Sequence, residues 1–294
     1  MNRRPVVWIF DAHFQIFRSY HSLPDLRAPD DTPIGAVRGY AQTLIKFLRE
    51  REPTHVAAAY DHALTSFRNE LYPDYKLGRT EPPEDLEPQF ALCAELTEAL
   101  GIPLFGLASF EADDVIATLV RALVADGADV SIISRDKDLA ALVSERVDLF
   151  DLASERRSGP AEVKERLGVS PEQVTDFLSL VGDAVDNIPG VSGIGAVTAS
   201  RLLAAFGSAA RIPSEPEAIA AAGLRGAKRI ARALAEGRDA LELSRALVSL
   251  RDDLTLHASL ADLEYRGADR TRLEGLFARL GLESMLRRVP RFRA

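Results

Sequence analysis

The amino-acid sequence predicts an α/β fold with a mainly parallel central sheet flanked by helices, followed by a helical second half. Short apolar runs alternate with segments of helical periodicity up to about residue 160. Beyond that point the sequence contains no convincing strand. We therefore expect an α/β part over residues 1–160 and a helical part over residues 161–294, with a boundary near the Ser158-Gly159-Pro160 turn, although the two parts could share a core.

Five apolar or β-branched runs are predicted to be strands: Val6–Phe10, His55–Tyr60, Ile102–Phe105, Val130–Ser134 and Val147–Leu152. The segments between them have helical periodicity, notably Ile34–Arg49, Leu86–Leu100 and Asp113–Leu123. In the second half, Ser170-Pro171-Glu172-Gln173 predicts a helix start, with a serine N-cap, a proline at the first position and a capping-box glutamine. The stretch Tyr72–Pro88 contains four prolines and lacks periodicity, so we expect it to be a mobile excursion from the sheet.

Composition excludes several classes of protein. Of the 294 residues, 47% are hydrophobic and 27% are charged, which is typical of a globular protein and excludes wholesale disorder. The longest apolar runs fall far short of the roughly 20 residues that span a bilayer, and no signal-peptide pattern is present, so we expect a cytoplasmic protein. The single cysteine, Cys93, lies in a predicted helix, where it is expected to be buried and to have no redox role.

Acidic residues follow the predicted strands at the edge where open parallel sheets bind ligands. Five groups contain nine carboxylates: Asp11, Asp61, Glu111 with Asp113 and Asp114, Asp136 with Asp138, and Asp183 with Asp186. So many acids at one edge would repel one another unless cations neutralised them, and all-oxygen ligand sets suit Mg²⁺ or Mn²⁺. A single aspartate after a strand could instead form a turn or cap a helix, but capping does not require paired acids.

The net charge of −8 argues on its own against a nucleic-acid partner. Of the 44 acidic residues, however, nine belong to the predicted metal site, which leaves 35 against 36 Lys and Arg residues. A substrate with a phosphate backbone is therefore compatible with the composition.

A glycine-rich turn, Gly190–Gly195, precedes a predicted helix and could bind phosphate through its backbone N–H groups. It does not match the dinucleotide fingerprint, and the chain contains no Walker A motif, which argues against a nucleotide cofactor. The alternative is an interhelical turn without a ligand. The basic residues of the second half are either a binding patch or solvated helix faces: Lys228, Arg229, Arg232, Arg287, Arg288, Arg291 and Arg293.

Taken in order, these motifs resemble the 5′-nuclease or flap-endonuclease family, and specifically a stand-alone bacterial 5′→3′ exonuclease similar to the N-terminal nuclease domain of DNA polymerase I. The resemblance covers nearly the whole chain. It rests on Asp11, Phe14–His21, Thr32–Val37, Phe67-Arg68, Tyr75–Arg79, Glu111–Asp114, Asp136–Leu139, Gly182–Asp183 and Asp186–Gly195. Because the chain ends where the family's nuclease domain ends, we expect no polymerase module.

The resemblance implies a PIN-like 5′-nuclease fold with a helical arch around residues 70–90 and a helix–two-turn–helix element around residues 182–206. It implies two Mg²⁺ ions about 4 Å apart, for which Mn²⁺ can substitute. One site would use Asp11, Asp61, Glu111 and Asp113, and the other Asp136, Asp138, Asp183 and Asp186, with Asp113 or Asp114 as a bridge. The sequence leaves this partition open.

The resemblance also assigns roles to basic and turn residues. Arg18, Arg68, Lys76 and Arg79 match positions that contact substrate phosphates and stabilise the transition state. Tyr75 would be either a base-stacking aromatic or a core or hinge aromatic. The turn residues Gly190, Val191, Gly193, Ile194 and Gly195 would grip duplex DNA and could hold K⁺. The chain departs from the family at Ala12-His13, where Gly-Ser or Gly-Thr is common, and at Ser134-Arg135, where Thr-Gly is common.

The resemblance therefore predicts a monomeric, metal-dependent 5′→3′ exonuclease and 5′-flap endonuclease that acts on branched, flapped or nicked DNA in replication and repair. Two alternatives remain open at this point: a non-catalytic structure-specific DNA-binding protein and a PIN-like RNase. The nine acids argue against the first. The glycine turn and the basic excursion argue against the second.

Overall fold

A computed structural model of the chain describes residues 4–23, 25–63, 65–79 and 81–293. Met1, Asn2, Arg3, Pro24, Leu64, Thr80 and Ala294 lie outside the described residues, and of these Thr80 belongs to the predicted arch. Within the described part of the chain, no helix is long and apolar enough to cross a membrane.

In the described residues, six strands form one sheet: β1 (Val6–Asp11), β2 (His55–Ala59), β3 (Leu104–Phe105), β4 (Asp129–Ile133), β5 (Val147–Asp151) and β6 (Arg156–Ser158). Their order across the sheet is β3-β2-β1-β4-β5-β6. All neighbours are parallel except β5 and β6, so the mainly parallel sheet is confirmed. The sequence analysis missed β6, because this short charged edge strand has no apolar pattern.

Among the residues that the structure describes, seven α-helices lie before the glycine turn: α1 (Ala12–Ser22), α2 (Gly35–Arg51), α3 (Phe67–Leu71), α4 (Glu87–Ala99), α5 (Ala112–Ala125), α6 (Pro160–Leu167) and α7 (Val174–Val181). Those that follow it are α8 (Ala196–Phe206), α9 (Pro216–Ala221), α10 (Ala227–Glu236), α11 (Arg238–Val248) and α12 (Arg270–Leu280). The Ser170 cap is confirmed, with the capping box to Gln173 that opens a 3₁₀ turn before α7. The described residues of the second half form no named strand beyond Ser158.

The sheet separates two hydrophobic cores. Along β1, Val7 and Ile9 face a core that contains residues of α5 and α7 to α11. Trp8 and Phe10 face the opposite core, formed with α1, α2, α4 and α12. Both cores draw on residues from both halves of the chain, so helices of the second half pack on both faces of the N-terminal sheet.

Three central strands bring their carboxyl ends to the same edge of the sheet. In the register of the sheet, Asp11 at the end of β1 lies opposite Ala59 of β2, and Phe10 lies opposite Ile133 of β4. The residues that follow β2 and β4 therefore start beside Asp11. This register explains why acids far apart in sequence converge at one place.

The segment between α3 and α4 differs from the expected helical arch. Its described residues form turns and irregular backbone in this conformation. Its prolines remove backbone N–H donors and so disfavour a continuous helix. The segment is tied to the loop before the glycine turn, because Lys76 N donates to Asp186 O (3.0 Å) and Asn187 Nδ2 donates to Asp74 O (2.8 Å).

Candidate active site

An open cleft with a cavity volume of about 230 Å³ lies at the carboxyl edge of the sheet. Seven of the nine predicted acids line it, namely Asp11, Asp61, Glu111, Asp113, Asp136, Asp138 and Asp186. Asp183 lies beside two of these, because its carboxylate and those of Asp138 and Asp186 have oxygens within 4.8 Å of one another. The structure thus brings eight of the nine acids together.

The ends of β1 and β4 hold their acids through a shared serine. Ser134 Oγ donates to Asp11 Oδ2 (2.8 Å) and accepts from Asp136 N (3.1 Å). The other oxygen of Asp11 accepts from Phe14 N (3.0 Å) and caps α1. Asp138 N in turn donates to Asp136 Oδ1 (2.9 Å), so hydrogen bonds connect Asp11, Asp136 and Asp138 in series.

The start of α5 supplies the next group of acids. Asp61 follows β2, and its Oδ1 accepts from Ala112 N (2.6 Å) in the first turn of the helix. Glu111 is the N-cap and accepts from Ser66 Oγ (2.9 Å). Asp113 follows in the first turn and is half-buried. A helix N-terminus favours negative charge, which partly offsets the repulsion among these carboxylates.

Two glycines close the loop that carries Asp183 and Asp186. Asp183 and Ile188 exchange backbone hydrogen bonds of 2.9 and 2.8 Å across this loop. Gly182 and Gly190 sit at its two ends with positive φ, and a Cβ on Gly190 would come within 2.5 Å of Gly182 N. Only glycine permits so close an approach, which fixes the loop tightly against the cleft.

Burial and like charge disfavour ionisation of three acids in the cleft. Burial raises the pKa of Asp11 to about 7, and the charges of Asp61 and Asp136 add to this shift. Burial and then the charge of Asp136 likewise raise the pKa of Asp138 to about 7. The pKa of Asp113 lies well above its usual value, because of burial and then the charges of Asp136 and Asp11. Such a set of oxygen donors fits bound divalent cations, which would favour the ionised forms.

Basic side chains pair with two further acids of the cleft. Lys76 Nζ donates to Glu111 Oε2 (2.9 Å), and Arg79 Nε donates to Asp186 Oδ1 (2.8 Å). Burial alone would raise the pKa of Glu111, but the charges of Lys76 and Arg68 outweigh it and lower the pKa. Lys76 and Arg79 thus both line the cleft.

Lys137 pairs with one of the predicted acids beside the cleft, a contact that the sequence analysis missed. Its Nζ donates to Asp183 Oδ2 (2.6 Å). Burial alone would raise the pKa of Asp183, but this pairing outweighs it and lowers the pKa. Its position in the sequence between Asp136 and Asp138 could have identified it, because a lysine flanked by two cleft acids is well placed to reach a third.

Asp114 and Arg68 require a correction. The Asp114 side chain is fully buried and outside the cleft, and it accepts from Arg68 Nη1 (2.7 Å) and Nη2 (2.8 Å). Arg68 is itself 2% exposed and also donates to the carbonyls of Leu247 (2.7 Å) and Ser249 (3.1 Å). In this conformation Asp114 is an ion-pair partner instead of a metal ligand. Arg68 lines the cleft, but its guanidinium is held by Asp114 and the two carbonyls. The pair ties α3 and α5 to the end of α11.

Arg18 departs from its expected position, and Tyr75 takes one of its two expected positions. Arg18 lies outside the cleft, in a separate groove beside Thr43 and Lys46. The Tyr75 ring is 5% exposed and its hydroxyl donates to Glu111 Oε2 (3.3 Å), which matches a core aromatic and leaves no ring face free for a base.

The glycine turn exposes backbone to solvent at its glycines and buries its two large apolar side chains. Val191 and Ile194 are each 3% exposed and anchor the turn in the core, whereas Gly193 and Gly195 are exposed. Among the hydrogen bonds of the described residues, none uses the N–H groups of Gly193, Gly195 or Ala196 as donors. Arg229 Nη1 donates to Gly193 O (2.9 Å), which occupies one carbonyl of the turn.

The chain matches two family profiles that together cover most of its length. Residues 6–168 match "5'-3' exonuclease, N-terminal resolvase-like domain", and residues 169–271 match "5'-3' exonuclease, C-terminal SAM fold". DNA polymerase I of Rhizobium leguminosarum is 43% identical over 70% of this chain and 21% of its own length. DNA polymerase I of Bacillus caldotenax is 36% identical over 96% of this chain and 32% of its own length. The chain therefore spans about a fifth to a third of these relatives.

Solved structures show the same fold. A zinc-bound 5′-exonuclease of bacteriophage T5 superposes with a TM-score of 0.66 at 25% identity, over 84% of this chain and 90% of its own. The catalytic core of Rad2 in complex with a DNA substrate superposes with a TM-score of 0.65 at 16% identity, over 97% and 92% of the two chains, and this likeness concerns the fold alone.

Proposed function

Because the chain belongs to the 5′–3′ exonuclease family, we propose that it hydrolyses DNA phosphodiester bonds as a 5′→3′ exonuclease and 5′-flap endonuclease, using two divalent ions. The observation that carries this proposal is the convergence of eight carboxylates in one cleft, with Lys76 and Arg79 beside them. The physiological setting is DNA replication and repair in the bacterial cytoplasm, where chromosomal DNA lies, and the protein acts as a monomer.

Mg²⁺ is the proposed ion, and Mn²⁺ can substitute for it because carboxylate oxygens suit both. Asp138, Asp183 and Asp186 hold one ion, since their oxygens already lie within 4.8 Å of one another. The other ion is held by Asp136 together with four acids at the ends of β1 and β2 and the start of α5. These four acids are Asp11, Asp61, Glu111 and Asp113. When bound, such ions lower the pKa of an attacking water and stabilise charge on the scissile phosphate.

Lys76 and Arg79 act on the substrate phosphate. In the metal-free chain they are paired with Glu111 and Asp186. Once ions neutralise these acids, the two cations are free to pair with phosphate oxygens, where charge develops in the transition state. The residues around them, 70–90, form the arch that closes over a 5′ single strand when DNA binds.

The second half of the chain grips duplex DNA without reading its sequence. The free N–H groups of Gly193 and Gly195 lie at the start of α8, where the helix dipole favours an anion such as a backbone phosphate. Exposed Lys228, Arg229 and Arg232 on α10 extend this basic surface. A K⁺ ion at the turn would compete with Arg229 for Gly193 O.

Cleavage of a labelled 5′-flap duplex with Mg²⁺ tests the proposal. We expect release of the flap, loss of cleavage with EDTA, and loss of cleavage in Asp138→Asn with flap binding within several-fold of wild type. Glu145→Gln is the matched control, because Glu145 is exposed and outside the cleft.

Two results would contradict the proposal and favour another function. Flap binding without any cleavage would indicate a non-catalytic DNA-binding protein. Faster cleavage of an otherwise identical RNA substrate would indicate an RNase.

A further inference from the structure

His13 occupies a position where the family commonly has a small hydroxyl residue, and its side chain is only 13% exposed. The imidazole packs against two aromatic rings, with centroid distances of 4.4 Å to Tyr60 and 4.8 Å to Phe90. These rings come from the end of β2 and from α4, so contacts from two elements hold the imidazole in place. The ring also lines the cleft.

The fixed ring makes one specific hydrogen bond to the backbone of an acid. Asp61 N donates to His13 Nδ1 at 3.0 Å, so Nδ1 is the unprotonated acceptor nitrogen. The carboxylate of Asp61 is held separately, because its Oδ1 accepts from Ala112 N at 2.6 Å. Asp61 Oδ2 lies 3.5 Å from His13 Nδ1, and among the hydrogen bonds of the described residues none is donated to this oxygen, which leaves it for a ligand.

The two residues that follow Asp61 contribute little to holding it. Asp61 and the two residues after it are not in a helix or strand, and both of those residues are exposed. A loop residue without such anchors would lose conformational freedom on metal binding, which lowers affinity.

We propose that His13 is a positioning residue that fixes Asp61 in the conformation in which its free oxygen Oδ2 binds a divalent ion. This inference rests on the proposed metal-dependent function. Partners of metal-binding residues typically change metal affinity by about 10- to 100-fold when they are removed.

A purely structural role for His13 would depend on ring packing alone. His13→Phe keeps an aromatic ring between Tyr60 and Phe90 but removes the acceptor nitrogen. His13→Asn and His13→Leu form a second pair of nearly equal size, of which only Asn keeps an acceptor. If packing alone matters, the His13→Phe variant should bind metal like the wild type, and the His13→Asn and His13→Leu variants should have equal metal affinity.

The test is calorimetric titration of the DNA-free protein with Mn²⁺, with the melting temperature of each variant measured in parallel. We expect His13→Phe and His13→Leu to bind Mn²⁺ about 10-fold more weakly than wild type, and His13→Asn to remain within about 3-fold. His257→Phe is the control, because His257 is exposed and outside the cleft. Raising Mg²⁺ should restore flap cleavage by the Leu variant, since its defect lies in the KM for metal and not in kcat.

Equal Mn²⁺ affinity of the His13→Asn and His13→Leu variants would overturn the positioning role. Wild-type Mn²⁺ affinity of the His13→Phe variant would overturn it as well. If His13→Phe fails to fold, the comparison of Asn with Leu decides the same question. Absence of Mn²⁺ binding by the wild type would instead contradict the proposed function.

Discussion

Asp11, Asp113 and Asp138 favour their protonated forms in the folded, metal-free chain, because burial and neighbouring charges raise each pKa. An acid with a higher pKa in the folded than in the unfolded chain stabilises the fold at low pH. This contribution is lost as the pH rises from the ordinary value of about 4 toward the folded value of about 7 for Asp11 and Asp138. The acids proposed to bind metal therefore reduce the stability of the metal-free protein at neutral pH.

The variant Asp138→Asn should consequently be more stable than wild type when both are metal-free at pH 8. We expect a melting temperature higher by about 2 °C or more, the shift that roughly 1 kcal/mol gives in a chain of this size. The difference should vanish near pH 4, where the wild-type carboxyl is protonated. Scanning calorimetry with EDTA measures it, with Glu145→Gln as control. A lower melting temperature for the Asn variant at pH 8 would show that Asp138 stabilises the fold.

Unlike Asp138, Asp114 should stabilise the fold, because it is paired with Arg68. Both side chains are at most 2% exposed, so Asp114→Ala leaves a buried guanidinium without its partner and should cost about 3–5 kcal/mol of the free energy of unfolding. The double variant Arg68→Met with Asp114→Leu removes both charges and should recover most of this loss. Urea denaturation measures the stability, and Mn²⁺ titration of the double variant should give near wild-type affinity. Loss of Mn²⁺ binding in the double variant would indicate that Asp114 is a metal ligand.

At the scale of elements, the turn segment before α4 is held by two of the acids proposed to bind metal. Asp186 accepts from Arg79, and Glu111 accepts from Lys76. Ions that bind these carboxylates compete with both contacts, so metal should loosen the segment before DNA closes it.

Limited trypsin digestion tests this coupling, because trypsin cleaves after Lys76 and Arg79. We expect Ca²⁺ alone to increase cleavage at both sites, and flap DNA added with Ca²⁺ to suppress it more than blunt duplex does. Asp186→Asn should be cleaved faster at Arg79 without any metal. Equal protection by the two DNAs would contradict threading of a 5′ strand, and no response to Ca²⁺ would contradict the competition.

The turn before α8 offers a matched test of duplex binding. Gly195 is the N-cap of α8 with φ of −91°, and its Cβ position is open, so other residues fit there without strain. Gly195→Asp and Gly195→Asn both provide a good helix cap, but only Asp places a negative charge where a phosphate would lie. Fluorescence anisotropy with labelled duplex should show binding at least about 10-fold weaker for Asp than for Asn. Equal affinities would mean that the turn is only structural.

At the scale of the whole molecule, the sequence predicts the sheet and the acids well because both depend on local patterns. Asp11 and Asp136 follow apolar strands, and parallel strands bring such positions to one edge whatever the distance between them in sequence. The partner of Asp114 could not be predicted, since the contact with Arg68 depends on how α3 and α5 pack at the end of α11. The position of Arg18 likewise depends on which way α1 faces, and the sequence pattern alone does not determine this.

The two halves of the chain should unfold as one unit. Residues of α7 and α11 share a hydrophobic core with β1 and α5, and the proposed metal ligands Asp138 and Asp183 come from opposite sides of the Ser158–Pro160 boundary. Scanning calorimetry of the metal-free protein should therefore give a single transition. Mn²⁺ should shift that transition upward without splitting it, because ligands that bind only the folded state stabilise everything that unfolds with their site. In Asp183→Asn the shift should be smaller, since one of the three clustered carboxylates is lost. Two separate transitions, with only one of them responding to Mn²⁺, would mean that the halves fold independently and that the metal site belongs to one of them.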